Sequence, residues 1–446
     1  MNSLIWRKLA ICGSAKFQAS SLRNLNDLRL EILHCCVINL ETLIMQKVMA
    51  KDEHVPRGMS RSGLVLFSYG FRPFFLASAL WAIASIDLWA ASLRFGIPVA
   101  TEYGTLFWHA HEMIFGFAPA ILAGFLLTAI PNWTGRLPIA GRPLAILFAV
   151  WCAGRIAMLM SSWIGVVPAV TVDSLFLPAM LVLCTREVVA GKKWKDLKVI
   201  AGLVVLSIAN ALFHVQAIAG QNPELPIRLG LGAYVLLVTI VGGRILPSFT
   251  RNWLNQFGRT EFPVPYNHYD AASIIMGAVA LAAWAVAPEA LITGLCAAIA
   301  AAMNGVRLYR WRGWNVWPEP ILFVLHGAYL FVPLGFAAVA LGTLGMPQLA
   351  VLHVFAIGAI SLMMLAVMTR ATRGHTGRKV KSSRLTNYSY VILAAVALLR
   401  PTAELIPSFS SEILMASAIG WTVAFCMFAH EHAPFLCRER KPLASR

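Results

Sequence analysis

From Phe74 onward the chain alternates long apolar runs with short loops rich in Pro, Gly, Arg and Lys. A helix crossing a bilayer needs about 20 largely apolar residues, and about twelve runs meet or approach that length. They cover Phe74–Leu93, Trp108–Ile130, Leu144–Trp163, Val166–Cys184, Val199–Ile218 and Leu229–Leu246. The second half adds Ala271–Val286, Ala290–Val306, Ile321–Gly342, Leu349–Met368, Tyr388–Leu399 and Ile413–Phe428. The runs are continuous, whereas a membrane barrel strand alternates and is about ten residues long. The pattern predicts an all-α fold, a polytopic membrane helical bundle of about twelve transmembrane helices.

Residues 1–60 break the pattern. Their stretch EILHCCVINLETLIMQ is too short and too polar to span, and no clean apolar core precedes a small-residue cleavage site. The expected organisation is a disordered or mis-assigned extension over 1–60, with Met49 or Met59 as alternative starts, a membrane domain over 61–434 and a cytoplasmic tail over 435–446.

Composition supports the same class: 59% of residues are hydrophobic and 13% charged, far from a soluble domain. The net charge of +17 raises nucleic acid as a partner, but its distribution argues against that. Every second loop is basic, as in Arg136 and Arg142, the series Arg186 to Lys198, Arg251 and Arg259, Arg307 to Arg312, and Arg370 to Arg384. The intervening loops hold only the isolated Arg94, Arg228 and Arg400. This is the positive-inside pattern; it places both termini in the cytoplasm and makes the lipid bilayer, not nucleic acid, the partner of the basic charge. The eight cysteines show no CxxC pair, haem-attachment motif or zinc spacing.

With this orientation, polar residues inside the spans can be placed by depth, and such residues usually face the bundle interior and mark function. His109, His111 and Glu112 open the second span, Asn210 and His214 close the fifth, and His353 opens the tenth. Asp87, Arg155, Asp173 and Tyr234 fall in the same outer half. A single intramembrane histidine usually hydrogen-bonds a neighbouring helix. Four at one depth point instead to a cofactor site, because neutral imidazole is a common metal ligand and haem in a bundle is held by histidines of facing helices.

In FWHAHEMIFGF, a separation of two on a helix turns His109 and His111 about 200° apart, so they would serve different sites or different shells. His109 and Glu112, three apart, can meet, which suits a carboxylate orienting a liganding imidazole. Arg155 needs a partner: Asp87, Asp173 or a haem propionate. A second group lies on the inner side, with His326 and Tyr329 on the ninth span, Arg244 closing the sixth, His375 in a basic loop, and Cys426 four residues before His430. Of these, His326 is a candidate second ligand for haem or metal, and Arg244 a supporting residue.

The segments SYGFRPFF (68–75), WHAHEMIFGFAPAILAGFLLTAIPNWTGR (108–136), GGRILPSFTRN (242–252) and HVFAIGAISLMMLAVMTRATRGHTGR (353–378) resemble the NnrS family. The resemblance implies a multi-spanning bacterial inner-membrane protein containing haem and copper, associated with denitrification and resistance to nitric oxide. The depth of these residues gives His109, His111 and His353 as metal ligands and His214, His326 and Arg155 as further cofactor-binding residues, with an unknown external electron donor; the resemblance adds haem b and copper as the cofactors. It leaves open which histidine holds which metal. The adjacent histidine pair of the haem-copper oxidases is lacking, so that likeness is one of architecture. The competing readings are a secondary transporter or a metal or assembly factor built on the buried His, Arg and Asp residues.

Overall fold

A computed structural model describes residues 63–441; the expectations for residues 1–60 and for the last five residues of the tail lie outside them. The described residues are helical and contain no strand. The long helices are α1 Phe71–Phe95, α2 Thr105–Thr134, α3 Arg142–Leu159, α4 Val166–Ala190, α5 Leu197–Ile218 and α6 Glu224–Gln256. They continue with α7 His268–Val286, α8 Leu291–Arg310, α9 Pro320–Gly342, α10 Gln348–His375, α11 Arg384–Leu399 and α12 Ser410–Cys437.

Eleven of these, all but α11, are long and apolar enough to cross a membrane. The predicted eleventh span is a helix of 16 residues continued by a 3-10 turn at Arg400–Ala403. Several helices outrun their apolar runs, because polar ends such as Asn252 and His375 continue the turn beyond the hydrocarbon length; α6 alone reaches 33 residues. Likewise α12 runs to Cys437, past the expected domain end at residue 434.

Which helices sit centrally follows from their sequences. A helix apolar on all sides must be surrounded by other helices or by lipid. In α2, 89% of the most apolar window is buried by the protein itself, and in α9 and α10 72%, against 33% for α4 and α8. Peripheral helices instead leave Ile146, Val182, Ile275, Leu295, Val391 and Ile419 exposed. An apolar exterior on this scale is foreign to soluble monomers and is what a bilayer covers. The fold is therefore that of a helical membrane protein.

Sequential helices pack as neighbours, and α12 returns against α1. Arg72, at the start of α1 and almost fully buried, secures that closure: Nη1 donates to the carbonyls of Leu436 (2.7 Å) and Arg438 (2.8 Å) at the end of α12. A cation at a helix C-terminus also meets the negative end of the dipole. Beside it, the rings of Tyr69 and Phe71 pack against His375 at 5.6 and 5.5 Å. The motif SYGFRPFF thus braces the start of α1 against the end of α12. Replacing Arg72 with Ala should remove charge-assisted bonds each worth about 1.5–3 kcal/mol. Thermal unfolding in detergent should shift down, and limited proteolysis should trim the end of α12 first; an unchanged melting curve would refute the brace.

Two π-helical turns interrupt two of the central helices, at Glu112–Phe117 in α2 and Val354–Ser361 in α10. Each directly follows a histidine, His111 in one case and His353 in the other. Inside a membrane the backbone groups released by such a turn need partners. Tyr234 Oη donates to the Ile114 carbonyl (3.0 Å), Trp151 Nε1 to that of Gly116 (2.9 Å), and Ser361 Oγ to that of Ala356 (2.7 Å). Wide turns of this kind concentrate at functional sites.

Candidate functional site

The opening motif of α2 faces two ways. One side contributes His109 to an apolar cavity of about 410 Å³; the other sends His111 and Glu112 into a buried polar cluster.

In the cavity, His109 and His353 come from α2 and α10. The imidazole of His109 stacks on Trp89 at 4.1 Å, and its Nδ1 is buried without a hydrogen-bond partner among the described residues. His353 Nδ1 lies 2.7 Å from the Leu349 carbonyl. A carbonyl only accepts, so Nδ1 carries the proton and Nε2 keeps its lone pair. Apolar residues dominate the rest of the wall. Its polar part includes Arg228, tied to Glu224 at 3.0 Å, and Arg400, tied to Glu404 at 2.7 Å, with Gln348 beside them. These two arginines are among the isolated cations that interrupt the charge asymmetry of the loops. Tyr234 also lines the cavity while bracing the π-turn of α2.

The polar cluster joins α2, α3, α4 and α5. Arg155 of α3 is its hub: Nη1 donates to Glu112 Oε2 at 2.5 Å, and Nη2 donates to Asp173 Oδ1. Trp81 Nε1 of α1 also donates to Glu112 Oε2, at 2.8 Å. His111 Nδ1 lies 3.1 Å from Glu112 Oε1, while its Nε2 is 3.0 Å from Asn210 Oδ1 and 3.2 Å from Asp173 Oδ2. His214 places Nε2 2.9 Å from the same Asp173 Oδ2 and Nδ1 2.9 Å from the hydroxyl of Tyr103. Asn210 Nδ2 donates to Asp173 Oδ2 as well, at 3.1 Å.

Local sequence makes this convergence possible. Asp173 ends the first segment of α4, and the helix resumes only at Phe176. Gly154 lets α3 approach that break, since a Cβ there would come within 3.2 Å of Asp173 Cα. Gly116 leaves room for the ion pair, because a Cβ would stand 2.6 Å from Glu112 Oε2.

Measured against the sequence expectations, His109 and His111 do part company, as helical spacing predicts. Glu112, however, meets His111 rather than His109, because the guanidinium of Arg155 and the indole N–H of Trp81 draw the carboxylate to their side. Arg155 takes Asp173 and Glu112 together, and Asp87 is exposed, accepting a bond from Thr422 at 2.6 Å. The trio His109, His111 and His353 divides, two on the cavity and one in the cluster.

His326 stands apart, with Nε2 2.9 Å from Thr250 Oγ1 and its ring edge-on to Trp311. Arg244 bonds Asp196 at 2.7 Å and lies over Trp133. Cys426 and His430 are both exposed. Tyr103, Trp81, Arg228 and Arg400 were missing from the sequence-derived set; the sole signal was the position of the two arginines on loops otherwise free of cations.

No curated protein matches the chain. A family model described as NnrS protein matches residues 65–440, which takes in every helix from α1 to α12, and the chain belongs to the NnrS family.

Proposed function

We propose that the protein is a haem- and copper-binding protein of the bacterial inner membrane, with both termini cytoplasmic, that acts in nitric oxide metabolism or resistance to nitrosative stress. The observation that carries this reading is the cavity between α2 and α10. Its walls are apolar, its size lies within the range of about 300–1,000 Å³ common for cofactor pockets, and it receives imidazoles from two central helices.

The residues present suit haem b. His109 has a buried ring nitrogen without a partner, and His353 has its tautomer set by the Leu349 carbonyl so that Nε2 is free to ligate. Arg228 and Arg400 would hold the two carboxylates of such a cofactor, since guanidinium pairs with carboxylate in fork geometry. Haem iron supplies one-electron chemistry and a binding position for a diatomic gas. The chain's own part is to orient the group, keep water out with its apolar wall, and hold the α2 histidine in place through Trp89 and through Tyr234 on the adjacent π-turn. An external partner supplies electrons in this reading.

The test is a reduced-minus-oxidised absorption spectrum of detergent-purified protein from haem-replete cells, taken with and without nitric oxide. A b-type spectrum that shifts with nitric oxide is the expected result, and a colourless protein overturns the reading. A secondary transporter is the second reading, favoured by the break of α4 beside Asp173, since transporters place broken helices at their substrate sites.

A further inference from the structure

We propose that His111, Asp173 and His214 form a binding site for one divalent transition-metal ion, separate from the cavity that holds His109 and His353. The proposal rests on the reading above only for the identity of the ion as copper; the site itself rests on geometry.

Three side chains from three helices, all buried, bring potential ligand atoms within 4.8 Å of one another. The atoms that converge are His111 Nε2, His214 Nε2 and Asp173 Oδ2. Each ligand's remaining polar atom is held from outside. His111 Nδ1 faces Glu112 Oε1, His214 Nδ1 faces Tyr103 Oη, and Asp173 Oδ1 is taken by Arg155. Carboxylates and hydroxyls orienting the second nitrogen of an imidazole are the usual outer partners of metal-bound histidine. Here that outer set is complete for both rings.

Proton counting makes the same point. A neutral imidazole has one N–H, yet both nitrogens of His111 face acceptors: Glu112 on one side, Asn210 Oδ1 and Asp173 Oδ2 on the other. His214 turns its Nε2 on that same carboxylate oxygen. A cation at the focus lets His111 keep its proton on Nδ1, give its Nε2 lone pair to the ion, and share Asp173 with His214. The two carboxylates also outnumber the one guanidinium, so the cluster has charge to spare for a cation. Two imidazoles and a carboxylate, without sulfur, suit borderline ions such as copper, zinc or iron, and the Irving–Williams order puts copper(II) first. Asn210 is placed beside the focus, where its amide touches both His111 and Asp173.

The full chain, purified with its haem, would be loaded with copper(II), dialysed, and assayed for copper per chain and by electron paramagnetic resonance. About one tightly held copper with hyperfine coupling to two nitrogens is expected, falling at least tenfold in His111→Ala and His214→Ala with the haem spectrum kept. His109→Ala should keep the copper. No retained copper in the wild type, a signal from four nitrogens, or full retention in His214→Ala would overturn the site. Should a variant fail to fold, the two-nitrogen signal of the wild type decides alone. Loss of haem with copper retained would instead count against the haem reading and leave the site standing.

Discussion

Arg155→Ala should lower the stability of the fold by about 3–5 kcal/mol, the usual cost of leaving a buried charge without its partner. The guanidinium lies between Glu112 and Asp173, and both carboxylates are nearly inaccessible to solvent. Removing it leaves two negative charges facing each other inside a membrane protein, with Trp81 and His111 as the remaining donors to Glu112. Lysine should recover little, because a single ammonium cannot reproduce two N–H groups aimed at separate carboxylates. Replacing the three together, Arg155→Met with Glu112→Gln and Asp173→Asn, should recover much of the loss, since a whole ionic cluster is cheaper to remove than one member. Thermal unfolding in one detergent would rank the four proteins. Equal melting of wild type and Arg155→Ala would show that the cluster carries no such weight.

The same cluster shows what could be read from the sequence. Depth placed Arg155, Asp173, His111, Asn210 and His214 at one level because every long apolar run fixes its own start and end. Depth says nothing about rotation around each helix. Whether Asp87 or Asp173 meets Arg155 depends on which way α1 and α4 turn, and α1 turns Asp87 outward to Thr422. The π-turn in α2 is another local departure that a strict 3.6-residue count does not foresee; it begins at Glu112. Trp81 and Tyr103 join through tertiary contact, and neither is unusual in an apolar run or a loop. Arg228 and Arg400 had a legible signal, since an arginine on an otherwise uncharged loop breaks the topology rule and so asks for a local reason.

If the cavity holds the haem proposed above, alanine at His109 or at His353 should each weaken its binding, by more than the roughly 10- to 100-fold in affinity typical of losing an outer partner. The two variants are not equivalent. His353 is fixed through Nδ1 on the Leu349 carbonyl, whereas His109 is held by stacking on Trp89 with its own Nδ1 unpartnered. A ring held by stacking can slide in its plane more easily than one held by a directional bond, so of the two imidazoles that would hold the group, His109 would be the more easily displaced. His109→Ala should therefore leave a haem that is retained more weakly but binds nitric oxide faster, while His353→Ala should leave little haem. Added imidazole should restore the wild-type spectrum in His109→Ala, because the deleted ring opens into a cavity able to admit it. His111→Ala, whose side chain lies in the other site, should keep the wild-type spectrum. Unchanged haem content and spectra in both His109→Ala and His353→Ala would show that the cavity does not hold the haem. Loss in only one would reduce the ligand set to that histidine.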